Sequence, residues 1–123
     1  MANPRRGEIA AELDGISRIL VLTLGALAEL EASFDVTDLV SLAERFSQGR
    51  LSAHEITLIL GAGLRGAGES VSDREVSAMT TPGGAAGFAR IAASLLSITF
   101  GGEGEAADSQ NPFPSPRPSP GGG

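Results

Sequence analysis

The sequence predicts a mainly α domain of about five short helices, opened by a β-hairpin and followed by a Pro/Gly-rich tail. Three observations carry that expectation. Apolar residues recur at helical spacing from Thr23 to Phe100. Two S-x-x-E capping boxes, Ser52 with Glu55 and Ser72 with Glu75, mark helix starts. Glycine and proline are unevenly placed: residues 101–123 hold 6 Gly and 5 Pro, whereas the first hundred hold 11 Gly and 2 Pro. Residues 1–102 therefore read as one domain, long enough for one core. Residues 103–123 read as a disordered tail, because Phe113 is its only large apolar side chain and ordering would go uncompensated.

The hairpin is expected over residues 7–24. Asp14-Gly15 is a two-residue turn signal, since a type I′ turn needs positive φ at both central positions. A turn there pairs Leu13 with Ile16, Ala11 with Arg18 and Ile9 with Leu20. Ile9, Ala11, Leu13, Ile16, Leu20 and Leu22 then share one face. Arg18 interrupts that face and is expected to reach water from an edge. A lone hairpin is marginal, so it must lie against other elements.

The helices follow in order. Thr23 is placed to cap a first helix reaching about Phe34, with Leu27, Leu30 and Phe34 inside and Glu29 and Glu31 outside. Asp35 or Thr37 is expected to cap the second, whose stripe is Leu39, Leu42, Ala43 and Phe46 and which Gly49 ends. The third starts at Ser52, with Leu51 and Ile56 as a hydrophobic staple, and carries Ile56, Ile59, Leu60 and Leu64. The fourth starts at Ser72, with Val71 and Val76 as its staple, and ends near Thr80 before Pro82. The fifth covers about residues 85–100. Phe88, Ile91, Ala92, Leu95 and Thr99 form its stripe, Leu96 and Phe100 widen it, and Gly101-Gly102 stops it.

Composition narrows the function. The 123 residues include no Cys, Lys, Trp or Tyr, one His, and nine Arg against fifteen acids, for a net charge of −6. Disulfides, thiolate nucleophiles, zinc fingers and iron–sulfur sites all need cysteine. A P-loop or a Schiff base needs lysine. Nucleic acid is not an expected partner, because phosphate binding needs a basic face and base stacking needs aromatic platforms. The most apolar run, residues 19–28, is about half the length that crosses a bilayer. Glu8, Glu12 and Asp14 between that run and Arg5-Arg6 do not suit a signal peptide. The expectation is a cytoplasmic protein with no membrane partner, cofactor or metal.

Two motifs invite a chemical reading. Gly61-Ala62-Gly63-Leu64-Arg65-Gly66 matches G-x-G-x-x-G, which would make a small nucleotide-binding protein. That fingerprint needs a preceding strand, a following helix and a second strand ending in an acid. Here a capped helix runs into it from Ser52 and another starts soon after, at Ser72. The preferred reading is that the glycines permit close packing or end the helix, with Arg65 solvated. His54 occupies the second position of a capped helix, an exposed place, and Glu55 beside it already serves the cap. Catalytic residues are therefore assigned to none. The stripe of Phe88, Ile91 and Leu95 is the candidate partner-binding face, and a homo-oligomer is open.

Five segments together carry a resemblance: RGEIAAELDG, LVLTLGALAELEASF, LAERFSQGRLSAHEI, LILGAGLRGAGE and GGAAGFARIAASLLSITFGG. Their order and spacing over about residues 5–102 resemble the small protein of the tail-gene cluster of alphaproteobacterial gene transfer agents, which are domesticated long-tailed phages. That family is described as a tail tube protein and is similar to phage tail assembly chaperones. The resemblance implies a non-enzymatic role in virion assembly, binding the tape measure protein and assisting tail tube assembly. Its implied partners are the tape measure protein and tail tube subunits. The alternative it implies is a structural tail tube or tail-tip component. It supplies no catalytic or ligand-binding residues to carry over.

Overall fold

The computed structural model describes residues 2–101. A short 3-10 turn, Pro4–Arg6, leads into strand β1 (Glu8–Leu13) and strand β2 (Ile16–Val21). Five helices follow: α1 (Leu24–Ser33), α2 (Leu39–Ser47), α3 (Ala53–Gly66), α4 (Asp73–Ser77) and α5 (Gly84–Leu96). A π-helical turn, Ser97–Gly101, extends α5. Gly102 and the tail expected over residues 103–123 lie outside the described residues.

The hairpin has the expected register, with Leu13 opposite Ile16, Ala11 opposite Arg18 and Ile9 opposite Leu20. Asp14 and Gly15 take φ of 56° and 75°, the conformation a type I′ turn requires. Leu13 and Leu20 are fully buried on its inner face. Ile16 departs from the expectation and is 56% exposed. It begins β2 beside the turn, where the sheet ends. Across the turn, the segment before α5 ties to the first strand. Asp14 N–H donates to the Thr80 carbonyl at 2.8 Å. The Thr81 hydroxyl donates to the Glu12 carbonyl at 2.6 Å.

Arg18 is also corrected. Rather than reaching water, it donates to Glu69 at 2.6 Å and to the Leu13 carbonyl at 3.3 Å. The residue that breaks the apolar face thus tethers the hairpin to the loop after α3.

Helix α3 is the axis of the domain. Residues 59–64 are all buried, and the helix packs on β2, α1, α4 and α5. Its glycines make that seating possible. A Cβ on Gly63 would stand 2.7 Å from Leu95 Cδ2 and 3.2 Å from Leu20 Cβ. A Cβ on Gly66 would collide with the Val21 carbonyl oxygen. With no side chain at these positions, helix and strand approach backbone to backbone.

Local chemistry sets the helix ends. The Thr23 hydroxyl accepts from Ala26 N–H at 3.1 Å and starts α1. Asp38, not Asp35 or Thr37, caps α2, accepting from Ser41 N–H at 2.7 Å. Asp35 is occupied in ending α1. It adopts φ 54°, its N–H donates to Ala32, and Val36 N–H donates back to Glu31, which is a Schellman termination with aspartate in glycine's usual place. Both capping boxes form, each with its serine accepting from the glutamate N–H at 3.1 Å and its glutamate accepting from the serine N–H at 2.8 Å.

Helix α2 joins the body through aromatic and ionic contacts. Phe34 and Phe46 meet edge to face with ring centroids 5.0 Å apart. Arg45 lies 5.6 Å over the Phe34 ring and bonds the second oxygen of Glu55. Glu55 therefore closes its own helix cap and fastens α2 to α3.

Candidate interaction surface

Helix α5 carries the three residues the sequence singled out, and the structure separates them. Leu95 is fully buried in the core against Gly63, so it offers no surface to a partner. That corrects its assignment: the side of α5 that meets α3 is the side Leu95 occupies. Phe88 and Ile91 are half-buried and open onto different depressions. Ile91 borders a groove of about 470 Å³ beside β1, with Ile9, Ala11 and Pro82. Phe88 borders a cavity of about 410 Å³ with Leu51, Ile56, Leu60 and Val76.

The cavity at Phe88 is one end of a longer trough. Its neighbour, about 630 Å³, is lined by Phe46, Leu51, Ile56, Leu96, Phe100 and Gly101 among others. Leu51, Ile56 and Ala89 belong to both. The trough thus runs along α5, between that helix and the start of α3, and ends where α2 and the π turn meet. Ala85, Ala89, Ala93 and Ser97 stand four apart on α5 and line it with small side chains. Sequence reasoning had given Leu51 the task of stapling a helix start, and Ile56 that task and a place on the apolar stripe of α3. The four-residue recurrence of small residues on α5 was the signal that could have found this face.

The trough is an open, largely apolar depression. Apart from two glycines and the hydroxyl residues Ser47, Thr57, Ser77 and Ser97, its lining is aliphatic and aromatic. No group of three or more metal-ligating side chains occurs among the described residues. His54 is exposed, as its position in the cap predicts.

The G-x-G-x-x-G segment lies inside α3, not in a loop after a strand. Its backbone N–H groups therefore belong to a continuous helix and cannot cradle a phosphate. The glycines serve close packing, as expected, but Arg65 is not solvated between them. Its guanidinium bonds Glu29, Asp73 at 3.0 Å and the Val71 carbonyl at 2.9 Å. The hydrogen bond it donates to Glu29, with help from Asp73, raises its pKa further against the opposing effect of burial. A Cβ on Gly61 would intrude on the Asp73 carboxylate, so that glycine leaves room for the ion cluster.

The continuous helical run Gly84–Gly101 is long and apolar enough to cross a membrane by length and composition. In this fold its Leu95 and Leu96 are buried in the core, and its Ala85, Ala89 and Ala93 line the trough.

Neither a curated protein nor a solved structure matches the chain. One family model does, described as phage tail tube protein, GTA-gp10, and it covers residues 6–102. The match takes in the hairpin, all five helices and the trough they form, which is nearly everything the structure describes. The chain belongs to this phage tail tube family of gene transfer agents.

Proposed function

We propose that this tail protein acts as a tail assembly chaperone, binding the tape measure protein and assisting assembly of the tail tube. The observation that carries the reading is the apolar trough between α5 and the start of α3. It has an open, aliphatic surface and small residues at helical spacing, features suited to receiving an amphipathic helix through apolar anchors. The acidic, cofactor-free composition agrees with a protein that acts by contact in the cytoplasm. Co-expression with the tape measure protein tests it directly. The expected result is copurification, with the protein scarce or missing in mature particles.

A second reading has its own observation. The hairpin is a two-stranded sheet with no third strand among the described residues, so a neighbour's strand could extend it. With the family's description as a tail tube protein, this favours a structural component of the tube. Many copies per purified particle, without tape measure binding, would establish that reading in place of the first.

A further inference from the structure

We infer that the trough is also a docking site for the chain's own downstream segment, with Phe113 as the side chain it takes. Gly101, the last described residue, lines the trough itself, so the following residues start at its mouth. Phe113 stands twelve residues beyond Gly101 and is the only large apolar side chain in residues 102–123. The intervening chain, GEGEAADSQN followed by Pro112, is polar and glycine-containing, with a span of up to about 40 Å when extended. Reach is therefore not limiting, and tethering holds Phe113 near the trough at a millimolar effective concentration.

Charge and shape agree with that occupant. The connecting residues carry Glu103, Glu105 and Asp108 and no basic residue. Arg50 is exposed between Gly49 and Leu51, two residues that line the trough, and forms no ion pair among the described residues. The negative charge of those acids is complementary to Arg50 at this rim. Pro112 and Pro114 restrict the backbone on both sides of Phe113, which lowers the entropy lost on docking. Half-buried Phe100, backed by the core ring of Phe46 at a centroid distance of 6.0 Å, offers the incoming ring an aromatic face. One ring on a flexible tether makes a weak contact, which a larger partner bound in the trough would outcompete. That competition rests on the chaperone reading; the docking itself does not.

The composition supplies the experiment. The chain has no Trp or Tyr, so Phe113→Trp in the full protein is a single, unambiguous fluorophore. The expected result is blue-shifted emission and several-fold weaker acrylamide quenching than in a free peptide of residues 102–123 carrying the same change. Adding Ala93→Arg, or separately Ala89→Arg, should return both readouts to those of the peptide. Ala89 and Ala93 are exposed trough residues, and far-UV circular dichroism checks that each variant keeps its helices. Emission equal to the free peptide's in the unblocked protein overturns the inference. So does a blue shift that survives both blocks, or one that grows with protein concentration, which would mark docking between copies. No tape measure protein is present, so the outcome is independent of the chaperone reading.

Discussion

Gly66 and Gly25 are both helical glycines, yet they should respond oppositely to alanine. At Gly66 the new Cβ meets the Val21 carbonyl oxygen, which is backbone and cannot rotate aside. Overpacking of this kind costs about 1–3 kcal/mol, more than the ~1 kcal/mol that alanine gains in helix propensity. Chemical denaturation should show Gly66→Ala destabilised. At Gly25 the nearest outside atom is the Thr23 hydroxyl oxygen at 3.9 Å, so Gly25→Ala should be neutral or slightly stabilising. Asp38 gives a prediction in pH. Its carboxyl sits below its ordinary value of 3.8, chiefly because the Ser41 backbone N–H bonds it and secondarily through the Ser41 side chain. A carboxylate whose pKa falls on folding adds stability above its unfolded value and loses it as pH drops through the folded one. The stability gap between wild type and Asp38→Ala should thus be present at pH 7. It should shrink below about pH 3.8 and vanish on further acidification, as urea midpoints across pH would show.

The two capping boxes share one chemistry but serve helices of different length. Ser52→Ala removes the acceptor that starts α3, the central helix, and should lower global stability by about 1 kcal/mol. Helix α4 has only five residues, and its one buried side chain is Val76. Ser72→Ala should therefore act locally, speeding amide exchange at residues 73–77 before it shifts the global midpoint. These boxes, the Asp14-Gly15 turn and the Thr23 cap were legible in the sequence, because their hydrogen bonds join residues at most three apart. The Asp38 cap was not, since local rules cannot say which of three neighbouring polar residues ends α1 and which starts α2. The ion pairs were further from view. Arg18 meets Glu69 across 51 positions and Arg65 meets Glu29 across 36, and no spacing rule links such residues. Both arginines were assigned to solvent on their local surroundings, and the fold supplied their acids.

At the scale of the molecule, spacing identified α5 as amphipathic but could not say which part of its apolar surface would be covered. Leu95 faces α3 and is lost to the core, while Ala85, Ala89 and Ala93 line the open trough. The surface offered to a partner is therefore defined by what α3 leaves uncovered. If the tape measure protein binds there, Ala89→Arg should reduce copurification by at least tenfold, equivalent to about 1.4 kcal/mol. Ile91→Ala, in the groove beside β1, should leave copurification unchanged. Pull-down yields at matched expression compare the two. The backbone contact between Gly66 and Val21 has a consequence of another kind. Sliding α3 by one position along β2 would bring Arg65 or Ala67 to the Val21 carbonyl, and both carry a Cβ where none fits. A seating shifted by one residue is thus opposed by collision and not merely by weaker attraction. In a small core made largely of leucines, which could interchange, bare positions such as Gly66 make the native seating the consistent one.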